Sequence, residues 1–281
     1  MTYEILLKSF LKQTKSILDE REGLATFWIM LFHLNKWSRI QFEMNRKKTV
    51  DSENLNAVNA FVIRLKTGEP VHYITGKTEF YGVTHLVNRN ALIPRPETEE
   101  LVDWIVSDNK LKKTQSVLDI GTGSGCIINS LALNLNGRFY GLDVSNDALS
   151  LAKANSKALE TTVHFFIKNI LNTQDTSDKF DTIVSNPPYI PVSDKKSMGS
   201  NVLDFEPELA LFVPNTDPLI FYKAIINFGL KSLNMQGCIY FEIHENYSSD
   251  LKTIIDKLNC KYLFKKDMQG KDRMLKIWDL V

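Results

Sequence analysis

The chain has 281 residues, and its 34 Lys and Arg residues nearly balance 33 Asp and Glu residues, for a formal net charge of +1. A hydrophobic share of 43% and a charged share of 24% are ordinary for globular proteins. They exclude global disorder, a collagen-like fibre and a disulfide-rich scaffold. The balanced charge argues against broad electrostatic capture of nucleic acid, and the length predicts about two domains.

The three cysteines, Cys126, Cys238 and Cys260, are far apart and show no zinc-ligand spacing. They predict reduced, mostly buried thiols and no metal site. The N-terminus lacks the basic-then-apolar pattern of a signal peptide. The most apolar early run, Ala25 to Leu34, is far shorter than the roughly 20 residues of a membrane-spanning helix. We therefore expect a cytoplasmic protein without a membrane partner.

The first 67 residues contain one glycine and no proline, and their apolar residues follow a helical period. One apolar stripe consists of Leu24, Phe27, Trp28, Leu31 and Leu34. A second helix is predicted over Leu55 to Leu65, with Asp51 or Ser52 as its cap. Residues 1–67 are thus predicted to form a small helical bundle whose aromatic residues pack its core.

Glycines and prolines interrupt the helical pattern from Gly68 onward. Residues 68–95 contain three short β-like pieces and are predicted to form a β-hairpin linker. These pieces are Val71–Ile74, Glu79–Tyr81 and His85–Val87. A proline-stiffened extended segment follows, and we expect a helix from about Thr98 to Val106.

From residue 116 onward, predicted strands alternate with helices. The strands are Ser116–Ile120, Gly137–Asp143, Val163–Ile167, Asp181–Ser185 and Cys238–Ile243. The helices are Gly125–Leu135, Asn146–Leu159 and Pro218–Leu233. This alternation is typical of an α/β domain with a mainly parallel sheet covered by helices on both faces.

A glycine-rich loop follows the first of these strands. It consists of Gly121, Thr122, Gly123, Ser124 and Gly125. Glycines at alternate positions let the backbone pass close to a ligand at the carboxyl edge of the sheet. The spacing differs from that of dinucleotide-binding loops, and no P-loop motif occurs in the sequence, so an adenosyl compound is favoured over a cradled phosphate.

Asp143 ends the next strand, where a carboxylate can accept hydrogen bonds from the vicinal hydroxyls of a ribose. Asp119 ends the first strand and could orient the loop or meet an ammonium group. A strand-end turn residue is the alternative interpretation of Asp143 alone. Together with the glycine loop, these residues resemble the class I methyltransferases, which implies a Rossmann-like fold and S-adenosyl-L-methionine as cofactor.

A second motif, Ser185-Asn186-Pro187-Pro188-Tyr189, follows another predicted strand and should lie at the same sheet edge. The prolines remove two backbone donors and leave two acceptors, the Asn186 side-chain oxygen and the Pro187 carbonyl, which can hold both hydrogens of an NH2 group. The Tyr189 ring can pack against a planar amide or base. The motif resembles that of methyltransferases acting on planar amino groups, although a proline-rich turn is the structural alternative.

Three further segments narrow this resemblance to the HemK/PrmC family of release factor glutamine methyltransferases. They are Glu69 to Gly76, Leu92 to Glu99 and Phe205 to Leu211. The Asp267 to Arg273 stretch also looks like the C-terminal hairpin of the family. The resemblance implies methyl transfer to the glutamine amide nitrogen in the Gly-Gly-Gln loop of class I peptide-chain release factors, with no stable nucleic-acid binding.

Carried over by motif, the resemblance assigns roles to individual residues and to domains. Residues 1–67 would recognise the substrate, and residues 96–281 would form the catalytic domain. Asn186, Pro187 and Tyr189 would be catalytic, and these three with Pro188 would bind the glutamine. The cofactor would be bound by Gly121, Thr122, Gly123, Ser124, Gly125, Asp143, Asn169, Ile170 and Asn186, and the segment around Pro94 to Thr98 would wall its mouth.

The sequence departs from the family pattern at two places. Lys168-Asn169-Ile170-Leu171 stands where the family usually has an acid–aromatic pair. There the Asn169 oxygen could accept a hydrogen bond from the adenine amine, and Ile170 could pack on the adenine face. His244-Glu245-Asn246 stands where relatives commonly show a glycine and then a glutamine, which affects the outer pocket wall.

Three other functions stay open at this point. The first is methylation of a ribosomal-protein glutamine, and the second is methylation of a nucleic-acid amine, against which the balanced charge counts. The third is a binding module without catalysis, which the intact motifs disfavour. No histidine is assigned as a general base, because His72, His85 and His244 show no orienting partner in the sequence.

Overall fold

The computed structural model describes residues 1–173 and 178–280. The chain divides into two compact units. The N-terminal unit comprises Met1–Gly76 with Gly199–Phe205, and the C-terminal unit comprises Lys77–Met198 with Glu206–Val281. The predicted linker of residues 68–95 is thus divided between the units after Gly76.

The N-terminal unit begins with five helices. They are α1 (Tyr3–Thr14), α2 (Glu20–Asn35), α3 (Arg39–Asn45), α4 (Ser52–Lys66) and α5 (Val71–Thr75). Asp19 and Glu22 form a capping box at the start of α2. The Asp51 carboxylate accepts a hydrogen bond from the Asn54 amide at 2.7 Å, so Asp51 rather than Ser52 caps α4.

The predicted apolar stripes, except Leu24, supply part of the core of this unit, and other residues of the helices complete it. Phe27 and Met30 of α2 are fully buried, and they pack with Phe10 of α1 and Phe61 of α4. The Phe10 and Phe27 rings meet edge to face with centroids 5.5 Å apart. The helical bundle expected from the 3.6-residue period is therefore confirmed.

The β-like interpretation of Val71–Ile74 is wrong, because this segment forms α5. Pro70 precedes the helix and Gly76 ends it with φ +70, a conformation that glycine adopts without strain. The Arg64 guanidinium donates to the Tyr73 and Ile74 carbonyls at the end of α5, so a distant side chain supplies partners that the local sequence does not show.

The two other β-like pieces do form a hairpin, made of β1 (Lys77–Phe80) and β2 (Val83–Leu86). Phe80 pairs with Val83 across a two-residue turn in which Tyr81 and Gly82 both have positive φ. This is the turn geometry whose twist matches that of the flanking strands.

The C-terminal unit contains a seven-stranded sheet. Its strands are β3 (Gln115–Ile120), β4 (Gly137–Asp143), β5 (Val163–Ile167), β6 (Phe180–Ser185), β9 (Leu233–Glu242), β10 (Lys261–Lys266) and β11 (Asp272–Trp278). The strand order is β10-β11-β9-β6-β3-β4-β5, and pairing is parallel except at β11. A small parallel pair, β7 (Ile190–Pro191) with β8 (Phe212–Val213), lies outside this sheet.

Helices cover both faces of the sheet. They are α6 (Pro96–Asn109), α7 (Cys126–Asn134), α8 (Asn146–Ala158), α11 (Ile220–Ser232) and α12 (Ser248–Ile255). The short helix α10 (Glu208–Leu211) directly precedes β8 in the same unit, whereas α9 (Ser200–Leu203) belongs to the N-terminal unit. Apolar residues of α11 and α12 form one core with Leu118 and Ile120, and those of α6 and α7 form another with Val117. The mainly parallel α/β sheet predicted from the sequence is thus confirmed.

The cysteines are free thiols that are buried or partly buried, in line with the expectation from the sequence. Cys126 is buried at the start of α7, whereas Cys238 and Cys260 are partly exposed. Cys260 directly precedes the edge strand β10. Separately, no helix within residues 1–173 and 178–280 has the length and apolar character needed to cross a membrane.

We expect Phe27→Ala to lower the free energy of unfolding of the N-terminal unit by about 3–5 kcal/mol, because it opens a cavity at a fully buried position. Phe32→Ala, on the same helix, is the matched control, since Phe32 is 59% exposed and its loss should change stability by at most about 0.5 kcal/mol. Chemical denaturation followed by circular dichroism measures both. Equal effects of the two variants would contradict the assigned core.

Candidate functional site

A cavity of about 300 Å³ lies at the carboxyl ends of β3, β4 and β6. This edge is where α/β proteins of open-sheet type bind ligands. Its lining includes Gly121, Thr122, Gly123, Ser124, Asp143, Asn169, Ile170, Asn186, Pro187 and Pro188. Two other residues singled out from the sequence, Gly125 and Tyr189, lie outside this lining.

The glycine loop has the backbone geometry that only glycine adopts easily. Gly121, Gly123 and Gly125 all have positive φ, between +55° and +76°. A Cβ at Gly121 would meet no atom within 4 Å, which is consistent with its position against the open cavity. A Cβ at Gly125 would lie 2.9 Å from the Asn129 side-chain nitrogen, so this third glycine serves the packing at the start of α7 rather than the cavity wall.

Asp143 and the glycine loop are joined by a hydrogen bond. The Gly123 amide donates to Asp143 Oδ2 and the Ser145 amide donates to Asp143 Oδ1, both at 2.9 Å. The carboxylate is therefore held in one orientation while each oxygen keeps a lone pair for a further donor. This arrangement fits a ligand with two adjacent hydroxyl groups.

Asp119 contacts the glycine loop through Thr122 and does not line the cavity. Its carboxylate is fully buried and accepts a hydrogen bond from the Thr122 hydroxyl at 2.6 Å. Burial raises the pKa of Asp119 to about 7, although the Thr122 hydrogen bond opposes that rise. Of the two roles considered from the sequence, the structure shows the contact that orients the loop.

Asn155 is a positioning residue that the sequence analysis missed. Its side-chain amide donates to the carbonyls of Ser124 in the loop and Leu86 in β2, and its oxygen accepts from the Leu86 amide at 2.6 Å. The side chain is fully buried and joins helix α8, the hairpin and the glycine loop. The one sequence signal was a polar residue among the inward positions of an amphipathic helix.

The Asn-Pro-Pro-Tyr motif directly follows β6. The Ser185 hydroxyl donates to the Ile120 carbonyl at 2.6 Å, which holds the end of β6 beside the start of the glycine loop. The Asn186 side-chain nitrogen donates to the Thr98 hydroxyl oxygen at 3.3 Å. The Asn186 oxygen is thereby left as an acceptor on a residue that lines the cavity.

Tyr189 lies next to the lining residue Pro188, is partly exposed, and contacts Glu242 and His244. Its ring meets the His244 ring at 5.6 Å between centroids, and its hydroxyl donates to Glu242 Oε1 at 3.5 Å. Burial is the main reason that the pKa of Tyr189 is raised. His244, where the sequence departs from the family pattern, thus packs against the motif tyrosine.

Glu242 is a second buried carboxylate, and the sequence analysis did not select it. It is 2% exposed and accepts a hydrogen bond from the Thr98 hydroxyl at 2.6 Å. Burial raises the pKa of Glu242 to about 7, against the lowering effects of Thr98, Arg273 and the Asn186 side chain. Its sequence signal was a single acidic residue within the otherwise apolar run from Ile239 to Ile243.

The residues after β5 also reach the cavity. Ile170 is buried and contributes to both the lining and the adjacent core. Asn169 caps a short 3-10 helix, Ile170–Asn172, since its side-chain oxygen accepts from the Leu171 amide at 3.0 Å. One lone pair of that oxygen therefore remains for an adenine amine.

An ion pair joins the segment Leu92 to Glu99 to the segment Phe205 to Leu211. The Arg95 guanidinium donates to Glu206 Oε1 at 2.6 Å, and the Ile93 amide faces Glu206 Oε2 at 3.4 Å. The Glu206 side chain is almost fully buried. This pair holds the Pro94 to Thr98 segment, whose residues Pro94, Arg95 and Thr98 line the cavity.

The lining fits S-adenosylmethionine in its donor and acceptor chemistry. Asp143 and Asn169 offer oxygen acceptors, the glycines leave space beside the backbone, and the wall includes the apolar side chains of Ile170 and Ile225. The cavity volume of about 300 Å³ falls at the lower end of the range for small-molecule sites.

The N-terminal and C-terminal regions of the sequence each match a known protein family. Residues 6–76 match the PrmC N-terminal domain, and residues 111–276 match a methyltransferase domain. Release factor glutamine methyltransferase of Flavobacterium psychrophilum is 42% identical over 273 residues, covering 95% of this chain and 96% of that protein. The protein of the same name from Bacteroides thetaiotaomicron is 44% identical over 219 residues, covering 76% and 77%.

A solved structure of similar fold supports the assignment of the architecture. A methyltransferase from Pyrococcus furiosus superposes with a TM-score of 0.51 at 15% identity, covering 80% of this chain and 98% of that one. The expected class I methyltransferase fold is thus confirmed. The match to a methyltransferase domain agrees with S-adenosylmethionine as the cofactor. Because these relatives share more than 40% of their residues with this chain over at least three quarters of its length, the chain belongs to the family of release factor glutamine methyltransferases.

Proposed function

We propose that this protein transfers a methyl group from S-adenosylmethionine to the side-chain amide nitrogen of the glutamine in the Gly-Gly-Gln motif of class I peptide-chain release factors. The observation that carries the proposal is the position of Asn186 and Pro187. They supply oxygen acceptors at the cavity that the glycine loop and Asp143 line. The names of the relatives support the substrate class.

The chemical difficulty is the weak nucleophilicity of an amide nitrogen, whose lone pair is delocalised into the carbonyl group. When bound, S-adenosylmethionine supplies an electrophilic methyl carbon. In our proposal the Asn186 oxygen and the Pro187 carbonyl accept the two N–H hydrogens of the glutamine and direct the nitrogen lone pair. Orientation of this kind contributes on the order of 7–11 kcal/mol to lowering a barrier.

The same two acceptors stabilise the transition state more than the ground state. As the nitrogen gains positive charge, its hydrogen bonds to the two oxygens strengthen, and such differential binding accelerates the chemical step. In this mechanism Tyr189 packs against the planar amide, and Pro188 fixes the turn that presents both acceptors. The amide proton leaves after transfer, so we assign no general base.

We also assign recognition of the release factor to the helical N-terminal unit. Its match to the PrmC N-terminal domain supports this assignment. Exposed apolar side chains of this unit, among them Phe32, Ile40 and Met44, offer contact area for a protein surface. The C-terminal unit supplies the cofactor and glutamine sites in this proposal.

Incubation of the purified protein with S-adenosylmethionine and a class I release factor should add one methyl group to the Gly-Gly-Gln glutamine, as read by peptide mass spectrometry. A release factor with that glutamine replaced by alanine should gain none. A ribosomal-protein extract and a nuclease-treated reaction test the two alternative substrates. Methylation only of ribosomal protein, or loss of labelling after nuclease treatment, would contradict the proposal.

Asn186→Ala should lower kcat by about 100- to 1000-fold, because one of the two preorganised acceptors is lost. Its dissociation constant for S-adenosylmethionine should change by less than about threefold, since the glycine loop and Asp143 remain. Single-turnover kinetics and calorimetry measure the two quantities. Asn259→Ala, at an exposed loop position, serves as the control. A parallel loss of affinity and turnover would show that Asn186 mainly holds the cofactor.

Asp143→Asn should weaken S-adenosylmethionine binding by about 10- to 100-fold, in line with the loss of charged hydrogen bonds worth about 1.5–3 kcal/mol. The asparagine NH2 would also face a backbone donor at Gly123 or Ser145. Asp147→Asn, an exposed carboxylate in the first turn of α8, is the matched control and should bind normally. Equal affinities of the two variants in calorimetry would remove Asp143 from the cofactor site.

A further inference from the structure

Three side chains from three separate elements form one chain of hydrogen bonds behind the cavity. The Asn186 side-chain nitrogen donates to Thr98 Oγ1 at 3.3 Å, and Thr98 Oγ1 donates to Glu242 Oε2 at 2.6 Å. Thr98 and Glu242 are each 2% exposed. Thr98 and Asn186 line the cavity, whereas Glu242 lies behind them. The carboxylate can therefore act on a ligand only through the two other side chains.

The direction of these hydrogen bonds is fixed by the number of hydrogens available. An ionised carboxylate only accepts, and a threonine hydroxyl has one hydrogen to donate. Thr98 donates its one hydroxyl hydrogen to Glu242. The Thr98 hydroxyl oxygen can therefore only accept a hydrogen bond from Asn186. The NH2 group of Asn186 must then face Thr98, and the Asn186 oxygen is left for a ligand.

We propose that Glu242 is a positioning residue for methyl transfer: acting through Thr98, it fixes the rotation of the Asn186 side-chain amide so that the oxygen is presented to the substrate. This inference rests on the proposed role of Asn186 as an acceptor for the glutamine amide. It explains why a carboxylate is buried at the end of an apolar strand without lining the cavity. The register of the sheet brings it there, since Ser185 pairs with Phe241 and the next residues are Asn186 and Glu242.

The protonation state of Glu242 decides whether this constraint holds. A neutral carboxyl group can donate to Thr98, which frees the Thr98 hydrogen for the Asn186 oxygen and allows the amide to rotate by half a turn. The rotated amide would present NH2 to the N–H groups of a glutamine, which repel it. Burial raises the pKa of Glu242 to about 7, so the charged, orienting form is lost as the pH falls through this value.

Several charged or titratable groups surround Glu242. Arg273 of β11 favours its charge, and Glu97 of α6 disfavours it. The Tyr189 hydroxyl donates to the Glu242 side chain at 3.5 Å, and the Tyr222 hydroxyl of α11 donates to the Glu242 backbone carbonyl at 3.1 Å. The negative charge of Glu242 also contributes to the raised pKa of the Cys126 thiol. Burial raises the pKa of both tyrosines and of Cys126, so these three groups stay neutral around pH 7. Burial also lowers the pKa of His244, which packs against Tyr189, and raises that of Asp119 to about 7. The Glu242→Gln variant removes the titration of Glu242 and leaves that of Asp119 and His244 in place.

The first test compares Glu242→Gln with the wild-type protein. Glutamine has the same shape but can donate or accept, so it no longer imposes one direction on Thr98. We expect kcat at pH 8 to fall by about 10- to 100-fold, the range seen when an outer partner that orients a binding group is lost. The KM for S-adenosylmethionine should stay within about threefold, and the fall of kcat below pH 7 should become shallower than in the wild type, with Asp119 as the remaining group of similar pKa.

Stability separates this role from a structural one. Because the folded-state pKa of Glu242 lies above its ordinary value of 4.5, its contribution to stability is present below that value and is lost as the pH rises through about 7. Glu242→Gln should therefore be at least as stable as the wild type at pH 8. A loss of kcat in a fully stable protein is not explained by misfolding.

Thr98 offers a conservative pair of variants. Thr98→Ser keeps the hydroxyl and should retain kcat within about threefold, whereas Thr98→Val keeps the shape, loses the hydroxyl and should lower kcat by about 10- to 100-fold. Asp181→Asn is the control, since this carboxylate binds the Ser116 amide and the Asn234 side chain and lies outside the cavity lining. It should leave kcat and its pH profile unchanged.

A readout independent of methyl transfer keeps this inference separate from the proposed function. In 15N-labelled protein, the side-chain amide signal of Asn186, assigned by its loss in Asn186→Ala, should shift in one step near pH 7. That step should be absent in Glu242→Gln. An unshifted Asn186 signal, wild-type kcat in Glu242→Gln, or equal kcat in Thr98→Ser and Thr98→Val would each overturn the inference. Failure to methylate release factors with the NMR step intact would refute the proposed function alone.

Discussion

Parallel pairing of β3 with β4 on one side and β6 on the other is the constraint on which the rest of the site depends. Val117 pairs with Phe139 in β4 and with Thr182 in β6, so the three strands end close together. The residues after these ends are the glycine loop, the Asp143 turn and the Asn-Pro-Pro-Tyr motif. Segments more than 60 residues apart in sequence, such as Ile120 and Ser185, are joined there by one hydrogen bond of 2.6 Å.

The site combines a rigid backbone with buried charge. Hydrogen bonds to Asp143 and Asn155 hold the glycine loop, and the Arg95–Glu206 pair holds the segment opposite. Asp119 and Glu242 are carboxylates whose burial costs stability at neutral pH, as their raised pKa values indicate. Each accepts from a threonine that lines the cavity, Thr122 or Thr98. In both places a buried carboxylate orients the hydroxyl of a threonine that belongs to the cavity lining.

Much of the fold could be predicted because the relevant signals are local. Val163–Ile167 and Gly137–Asp143 match the observed strands residue for residue, since apolar and aromatic residues between turn-forming residues mark them. The helix at Val71–Thr75 could not be predicted in this way, because its last carbonyls are bound by Arg64 from another helix. Its β-branched composition alone favours a strand.

The candidate site was predictable where function leaves a motif and unpredictable where it depends on tertiary contacts. Gly121 to Ser124, Asp143, Asn186 and Pro187 all line the cavity, as their position after parallel strands implied. Thr98, Asn155 and Glu242 act through partners 60 or more residues away, for example Asn155 through Leu86 and Thr98 through Glu242, and no local pattern encodes such pairs. Gly125 belongs to the motif but serves helix packing.

The most direct test of the account is a crystal structure of this protein with S-adenosylhomocysteine and a peptide containing Gly-Gly-Gln. The glutamine amide nitrogen should lie within about 3 Å of both the Asn186 side-chain oxygen and the Pro187 carbonyl oxygen, and the ribose hydroxyls should donate to Asp143. A glutamine bound elsewhere, or an Asn186 side chain with its NH2 group toward the glutamine amide, would contradict it.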